Sequence, residues 1–142
     1  MQSTTAVASS PPSATLKAGL WVAQTLIALS FGAAGVMKLA MPIAKLAAML
    51  PWTGQVPETF VRALGLIDLL GGAGILLPSL TRIRPRLTLA AAIGCLLLQA
   101  CAIVFHVARG ELANTAPNYV FIALIVFIFW GRRSRAPIAP RS

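Results

Sequence analysis

Three ionisable side chains, Lys38, Asp68 and His106, lie inside or at the ends of long apolar segments. Asp68 interrupts the apolar run VRALGLIDLLGGAGILLP at residues 61–78. On insertion scales, a carboxylate at the centre of a membrane helix costs roughly 2.5–3.5 kcal/mol, and the cost falls toward the interface. A cation that shares the site offsets this cost. These three side chains therefore define a candidate polar cluster for ion pairing, proton transfer or ligand binding.

The candidate cationic partners of Asp68 are Arg62 and Lys38. Arg62 precedes Asp68 by six residues, which places the two side chains about 120° apart around a helix. We expect Arg62 to extend toward the lipid headgroups instead. Lys38, from another helix, is the preferred partner. Two interpretations of Asp68 stay open: a structural ion pair that fixes helix packing, and a functional carboxylate in a proton or quinone site.

A polar stripe follows the third apolar segment. Gln99 and His106 lie within about 40° of one another on a 3.6-residue period, and such a stripe usually faces a bundle interior. Gln99 is expected to form a hydrogen bond between helices. His106 has three possible roles: hydrogen bonding to a quinone carbonyl, proton transfer near neutral pH, and a structural hydrogen bond to Tyr119 or Asp68.

The residue types give little support to a metal or haem centre. The chain has one histidine and two cysteines, Cys95 and Cys101, which are six residues apart and so about 120° apart on a helix. One histidine without a Cys-x-x-Cys pair does not complete a tetrahedral metal shell, and haem needs a further axial ligand. The sequence GLIDLLGGAG also lacks the preceding strand and the glycine order of a nucleotide-binding loop. The cofactor is therefore left open: a quinone is compatible with these residues, and the sequence contains no metal, haem or nucleotide motif.

The elements that must position this cluster are membrane helices. Of the 142 residues, 58% are hydrophobic and 11% are charged, and the mean hydropathy is +0.83. Apolar segments cover residues 20–39, 63–80, 87–107 and 119–130, and the last needs residues 114–118 or residue 131 to complete a span. We predict an all-α bundle of four transmembrane helices in a lipid bilayer.

The distribution of positive charge predicts how the bundle is oriented. Eight of the 12 lysines and arginines flank one set of helix ends, and four (Lys38, Lys45, Arg62 and Arg109) flank the other. This asymmetry follows the positive-inside rule and predicts that both termini are cytoplasmic. The net charge of +9 therefore reports topology, and the absence of interleaved aromatic residues argues against nucleic-acid binding. Residues 1–16 and the basic residues 134–142 are expected to be disordered tails around a domain at residues 17–133.

Small residues indicate close helix packing at the same depth as Asp68. Gly65 and Gly72 share its helix face, and Gly35 lies near the outer end of the first helix. Small residues let helix backbones approach each other in a bilayer, where the hydrophobic effect between helices is absent. We expect the first two membrane helices to pack through these glycines.

Three motifs together resemble the DoxX-like four-helix membrane proteins of bacteria. They are FGAAGVMKL at residues 31–39, RALGLIDLLGGAGILLP at 62–78 and FHVARGE at 105–111, and the similarity covers about residues 19–133. The resemblance makes five residues the signature positions, with no established catalytic role for any: Lys38, Arg62, Asp68, His106 and Arg109. The family normally has glutamate at the position of Asp68, so the carboxylate here is one methylene shorter.

The resemblance also implies a functional setting. The member that gives the family its name is a small membrane subunit of a thiosulfate:quinone oxidoreductase, and relatives are linked to thiol and oxidative-stress redox complexes. The expectation is a multi-pass protein of the bacterial inner membrane, an accessory subunit of a quinone-linked redox complex with a redox partner protein. The alternatives are a small-solute transporter and a structural or assembly protein, and any of these forms is compatible with a homo-oligomer.

Overall fold

The computed structural model describes residues 10–142, and this part of the chain is helical with no strand. Five α-helices are connected by short turns: α1 (Ala14–Ala40), α2 (Ile43–Met49), α3 (Glu58–Thr81), α4 (Leu87–Ala108) and α5 (Ala116–Trp130). Short 3₁₀ turns follow α2 and precede α5, and a π-helical turn (Gly131–Arg135) follows α5. The predicted all-α class is confirmed.

Four helices are long and apolar enough to cross a membrane. They are α1, α3, α4 and the continuous helical stretch Leu112–Arg135, which contains α5. The last span reaches 24 residues only with its flanking turns, as the short apolar segment at residues 119–130 predicted. Large apolar side chains on the outside of the bundle, such as Leu29, Leu97 and Val104, are more than 60% exposed and suit contact with lipid. The protein is therefore a multi-pass membrane protein in a lipid bilayer.

The four spanning helices form a closed ring in which α1 packs on α3, α3 on α4, α4 on α5 and α5 on α1. We call the end where α1 finishes and α3 starts the polar end, because the polar cluster lies there. The opposite end, which holds residues 82–86 and 131–135, is the basic end. That the basic end faces the cytoplasm stays a prediction.

Both ends of the chain differ from the predicted tail boundaries. The Ser13 hydroxyl accepts a hydrogen bond from the Leu16 amide, and this N-cap starts α1 at Ala14, inside the expected tail. Residues 1–9 of that tail lie outside the described residues. In the expected C-terminal tail, the Arg141 amide donates to the Arg82 carbonyl at 2.9 Å, and the Arg82 side chain donates to the Ala139 carbonyl. These bonds hold residues 139–141 against the loop between α3 and α4.

Glycines bring α1 and α3 into backbone contact. A Cβ atom added to Gly35 would lie 2.7 Å from the Gly65 carbonyl oxygen and 2.9 Å from the Leu69 amide nitrogen. A Cβ on Gly72 would lie 3.0 Å from the Ala28 carbonyl oxygen. Side chains larger than hydrogen do not fit between these backbones. The expected packing role of the three glycines agrees with this geometry.

The apolar core lies in the middle of the ring. Its buried members come from all four spanning helices: Ala23, Ile27, Phe31, Ile75, Ala92, Cys95, Ile125 and Ile128. Toward the basic end, the Ser79 and Thr88 hydroxyls form a buried hydrogen bond of 2.9 Å between α3 and α4. The core separates the two bundle ends, so each end holds its own set of polar side chains.

Gly35→Ala tests the close contact of α1 with α3. Alanine forms helices better than glycine by about 1 kcal/mol, yet the added methyl meets backbone atoms and forces the helices apart. We expect a loss of about 1–3 kcal/mol in the free energy of unfolding, measured by denaturation in mild detergent with helix content as the signal.

Gly32→Ala is the matched control on the same helix, because a Cβ at Gly32 meets nothing within 4 Å. Its stability should be unchanged or higher. Equal stability of the two variants would contradict the close contact.

Candidate functional site

The Lys38 side chain, at the end of α1, is bonded to the Asp68 carboxylate of α3. The Lys38 Nζ atom lies 2.7 Å from Asp68 Oδ2, and the two side chains are 12% and 10% exposed. Arg62 makes no bond to Asp68. The ion pair that the sequence favoured is therefore the one the structure contains, and it joins the two helices that also meet through glycines.

Arg62 does not extend toward the headgroups, so that expectation is wrong. Its Nη1 atom donates to the carbonyl oxygens of Lys38 and of Met41, the latter at 2.9 Å. Carbonyls at a helix C-terminus have no partner within the helix, and Arg62 supplies one across the interface. Its Nη2 atom also pairs with Glu58, one turn earlier in α3, at 2.7 Å. Arg62 and Asp68 thus hold the end of α1 at two points, six residues apart on α3.

A cavity of about 480 Å³ lies next to the ion pair at the polar end. Its polar lining consists mainly of Lys38, Asp68, Gln99, His106 and Asn118. The volume falls within the range of about 300–1,000 Å³ that small-molecule sites occupy. The three residues of the candidate polar cluster thus line one cavity, whereas Arg62 and Arg109 lie outside its lining.

Aromatic side chains form much of the remaining wall. The cavity is lined by Phe31, Phe60, Trp52, Phe105 and Phe121. The rings of Trp52 and Phe105 pack edge to face with their centroids 5.7 Å apart. The wall is therefore mostly apolar with a few polar atoms, a combination that suits an uncharged ring carrying polar substituents.

His106 pairs with Glu111 and not with Tyr119 or Asp68, so both expected structural partners are wrong. Its Nδ1 atom lies 2.8 Å from Glu111 Oε2, and Arg109 Nε donates to Glu111 Oε1 at 3.1 Å. The hydrogen bond with His106, with a further contribution from Arg109, lowers the pKa of the Glu111 carboxyl. A lowered pKa keeps Glu111 ionised at pH values within and below its ordinary titration range, and the contribution to stability is lost as the pH falls through the lowered value.

The pairing with Glu111 also defines what His106 offers to the cavity. A carboxylate that accepts from Nδ1–H fixes the ring orientation, and Nε2 makes no hydrogen bond to any residue between 10 and 142. Nε2 accepts a hydrogen bond in the neutral ring and donates one when the ring is protonated. His106 is therefore oriented for exchange of a proton or hydrogen bond with a ligand.

The turn after α2 is fastened over the polar end of α4. The Gln55 side chain accepts a hydrogen bond from Arg109, whose guanidinium also lies 5.1 Å from the centroid of the Phe105 ring. Leu50 and Trp52, from the same turn region, line the cavity. The turn region between α2 and α3 thus forms one side of the site.

Gln99 connects two helices, as expected from the polar stripe. Its Oε1 atom accepts a hydrogen bond of 2.6 Å from Asn118 Nδ2 of α5. Both residues line the cavity. The deep wall of the site is therefore also an interhelical contact between α4 and α5.

Sequence reasoning missed the roles of Glu111 and Gln55, since both lie in loops whose path the helical period does not predict. The spacing of five residues between His106 and Glu111, across a helix end, was the available signal. It also missed the bond of 2.7 Å from Arg132 to Gln24 at the basic end. Residues 108 positions apart give no local signal for such a bond.

The comparison with protein families agrees with this architecture. A model of the DoxX-like family matches residues 22–128. The chain belongs to the DoxX-like family. The matched region contains Lys38, Asp68, His106 and every other residue that lines the polar-end cavity. No curated protein and no solved structure matches this DoxX-like chain.

Reversing the charges of Lys38 and Asp68 tests whether their contact stabilises the bundle. Lys38→Asp and Asp68→Lys each leave two like charges in a mostly buried site, and breaking a buried pair costs about 3–5 kcal/mol. The double variant restores opposite charges and should recover most of the unfolding free energy, measured in mild detergent.

Glu58→Gln provides the control, because Glu58 pairs with Arg62 but its side chain is 55% exposed. Its loss should stay below about 1 kcal/mol. A double variant no more stable than the weaker single variant would show that the two charges do not act as a pair.

Proposed function

We propose that this chain is the membrane subunit of a quinone-linked redox complex in the bacterial inner membrane, and that the polar-end cavity holds the quinone headgroup. The observation that carries the proposal is the cavity itself, in which polar groups from four helices lie among aromatic side chains. A quinone headgroup is a flat apolar ring with two carbonyl acceptors. The aromatic side chains suit its faces, and hydrogen-bond donors suit its oxygens.

The position of the cavity supports the same ligand. Asp68 lies six residues from Arg62, about 9 Å along the helix, so the site is below the polar end but not at the centre of the span. A ligand headgroup at this depth leaves its isoprenoid tail among the lipid chains. Membrane quinones have this division between a polar ring and an apolar tail.

Lys38 and His106 have different roles in the proposed binding of the quinone. Lys38 is held by Asp68 at 2.7 Å and offers its remaining N–H groups, since an ammonium has three donors. His106, oriented by Glu111, exchanges a proton or hydrogen bond through Nε2. Reduction of a quinone to a quinol takes two electrons and two protons. In this proposal a partner protein that oxidises a thiol or thiosulfate supplies the two electrons, and water at the polar end supplies the two protons by way of His106.

A purely structural role is the second candidate function. The observation that favours it is the use of Arg62 and Asp68 to hold the end of α1, since both bonds serve packing without any ligand. In that role the polar cluster fixes how α1 and α3 meet, and the cavity has no specific occupant. Ligand binding separates the two candidates.

Binding of a short-tailed benzoquinone to the purified chain tests the proposal. Trp52 lines the cavity, whereas Trp21 and Trp130 lie toward the basic end, so a bound quinone should quench Trp52 fluorescence. Asp68→Asn and His106→Ala each remove a polar contact and should weaken binding about tenfold, the factor that corresponds to about 1.4 kcal/mol.

Lys45→Gln is the matched control, because Lys45 is an exposed cation at the same bundle end and does not line the cavity. Its affinity for the quinone should equal that of the unchanged protein. Trp52→Phe should abolish the quenching and so identify the reporter. Unchanged affinity in both Asp68→Asn and His106→Ala would refute the site and leave the structural role.

A further inference from the structure

A second cavity, of about 660 Å³, lies at the basic end of the bundle. Four parts of the chain contribute to its walls: Ser79 near the end of α3, the turn and first residues of α4 (residues 84–89), residues 132–133 and residues 137–140. Four arginines line it: Arg84, Arg86, Arg132 and Arg133. The quinone proposal uses none of these residues.

No acidic side chain balances the four arginines. The whole chain has three acidic residues, Glu58, Asp68 and Glu111, and all of them belong to the polar end. Every salt bridge within residues 10–142 also lies at that end. The basic-end cavity therefore has an uncompensated positive potential that attracts an anion.

Arg132 is built into the wall of this cavity. The residue is 7% exposed, its Nε donates to Gln24 Oε1 at 2.7 Å, and its guanidinium lies 4.7 Å from the centroid of the Trp21 ring. Its Nη2 atom is buried and has no hydrogen-bond partner among residues 10–142. A buried charged donor without a partner is costly, and an anion in the adjoining cavity would reduce that cost.

The loop that carries Arg84 has an unusual backbone. Arg82 and Arg84 have φ values of 61° and 45°, in the left-handed region where glycine is usual. Strain of this kind persists where the surroundings hold the chain, and it is frequent at ligand sites. The bonds from Arg82 to the Ala139 carbonyl and from the Arg141 amide supply that restraint. The loop is thereby fixed with Arg84 in the lining of the cavity.

The apolar part of the lining limits the kind of anion. Leu87, Leu89 and Ile138 line the same cavity, and Leu87 is 50% exposed at the start of a spanning helix. An inorganic anion gains no favourable contact from these apolar side chains. A molecule with an anionic head and apolar chains matches both halves of the lining, and the bilayer contains such molecules at this depth.

We propose that the basic-end cavity binds the phosphate of an anionic phospholipid headgroup, with Arg84, Arg132 and Arg133 as its main contacts. Arginine suits this role because its planar fork donates two parallel hydrogen bonds to phosphate oxygens. The site joins the turn between α3 and α4 to the segment after α5. A bound lipid therefore stabilises the basic end of the bundle and does so independently of any ligand at the polar end.

Thermal unfolding of the full chain, purified in detergent and stripped of lipid, tests the proposal. Dioctanoyl phosphatidylglycerol should raise the midpoint of unfolding in a concentration-dependent way. Dioctanoyl phosphatidylcholine and inorganic phosphate at the same concentrations should raise it much less. Added salt should weaken the effect of the anionic lipid, because salt screens the contacts.

Arg84→Gln with Arg133→Gln should weaken the apparent affinity for phosphatidylglycerol about 30-fold, at roughly 1 kcal/mol for each arginine. Lys17→Gln with Arg135→Gln is the matched control, since it removes two charges from the same bundle end but none from the cavity lining. Its affinity should stay within about twofold of the original. If the first pair does not fold, each single variant replaces it, with a loss of about fivefold.

Three results would overturn the proposal. Equal losses in the two double variants would indicate general charge attraction without a built site. Equal stabilisation by inorganic phosphate and phosphatidylglycerol would assign the cavity to a free anion. Unchanged affinity in the cavity variants would remove the arginines from lipid binding altogether.

Discussion

A carboxylate inside a membrane helix constrains everything at the polar end of this bundle. Asp68 is buried in the bundle, and a buried carboxylate needs a cation or hydrogen-bond donors as partners. Lys38 is this partner, and its side chain reaches Asp68 only if α1 and α3 pack closely at the level of these two residues. Gly35 and Gly65 permit the approach, and Arg62 holds the last carbonyls of α1 in register. The ion pair and the helix contact are therefore one arrangement.

The polar-end cavity lies beside this ion pair and helix contact. The ion pair occupies one wall of the polar-end cavity, and α4 and α5 complete the enclosure with Gln99 and Asn118. The pair of His106 with Glu111 adds a titratable group whose orientation is fixed from outside the cavity. In the proposed function, structural and ligand-binding roles share side chains, because the residues that hold the helices together also line the cavity between them. Loss of either role would follow from the same substitutions, which is why binding has to be measured separately from stability.

Sequence reasoning was most effective where a helical period or a charge requirement determined the outcome. Four spans, the glycine contact and the partner of Asp68 follow from apolar length, small-residue spacing and the cost of an unpaired carboxylate. Arg62 was misjudged because the open carbonyls of α1 become visible only when the two helices are placed side by side. The pairing of His106 with Glu111 depends on the path of the loop after α4. The hydrogen bond from Arg132 to Gln24 depends on how the segment after α5 packs against α1. Contacts of this kind have no signature in local periodicity.

The two bundle ends differ in their charged and aromatic side chains, so the two ends of the molecule are chemically distinct. One end combines all three acidic residues with aromatic walls, and the other has arginines without counter-charges. The apolar core between them keeps the two sets of polar groups apart. The two proposed sites are therefore separate: a quinone site at the polar end and an anionic-lipid site at the basic end.

The most direct test of this account is the contact between Lys38 and Asp68, measured by solid-state NMR in lipid bilayers. Asp68 is the single aspartate among the 142 residues, so its ¹³C-labelled carboxyl carbon is unambiguous, and the ¹⁵N-labelled lysines number three. With Nζ and Oδ2 2.7 Å apart, the account predicts a strong dipolar coupling between the aspartate carboxyl carbon and one lysine nitrogen. The coupling should disappear in Lys38→Met and persist in Lys45→Met. An aspartate carboxyl without coupling to any lysine nitrogen would contradict the account.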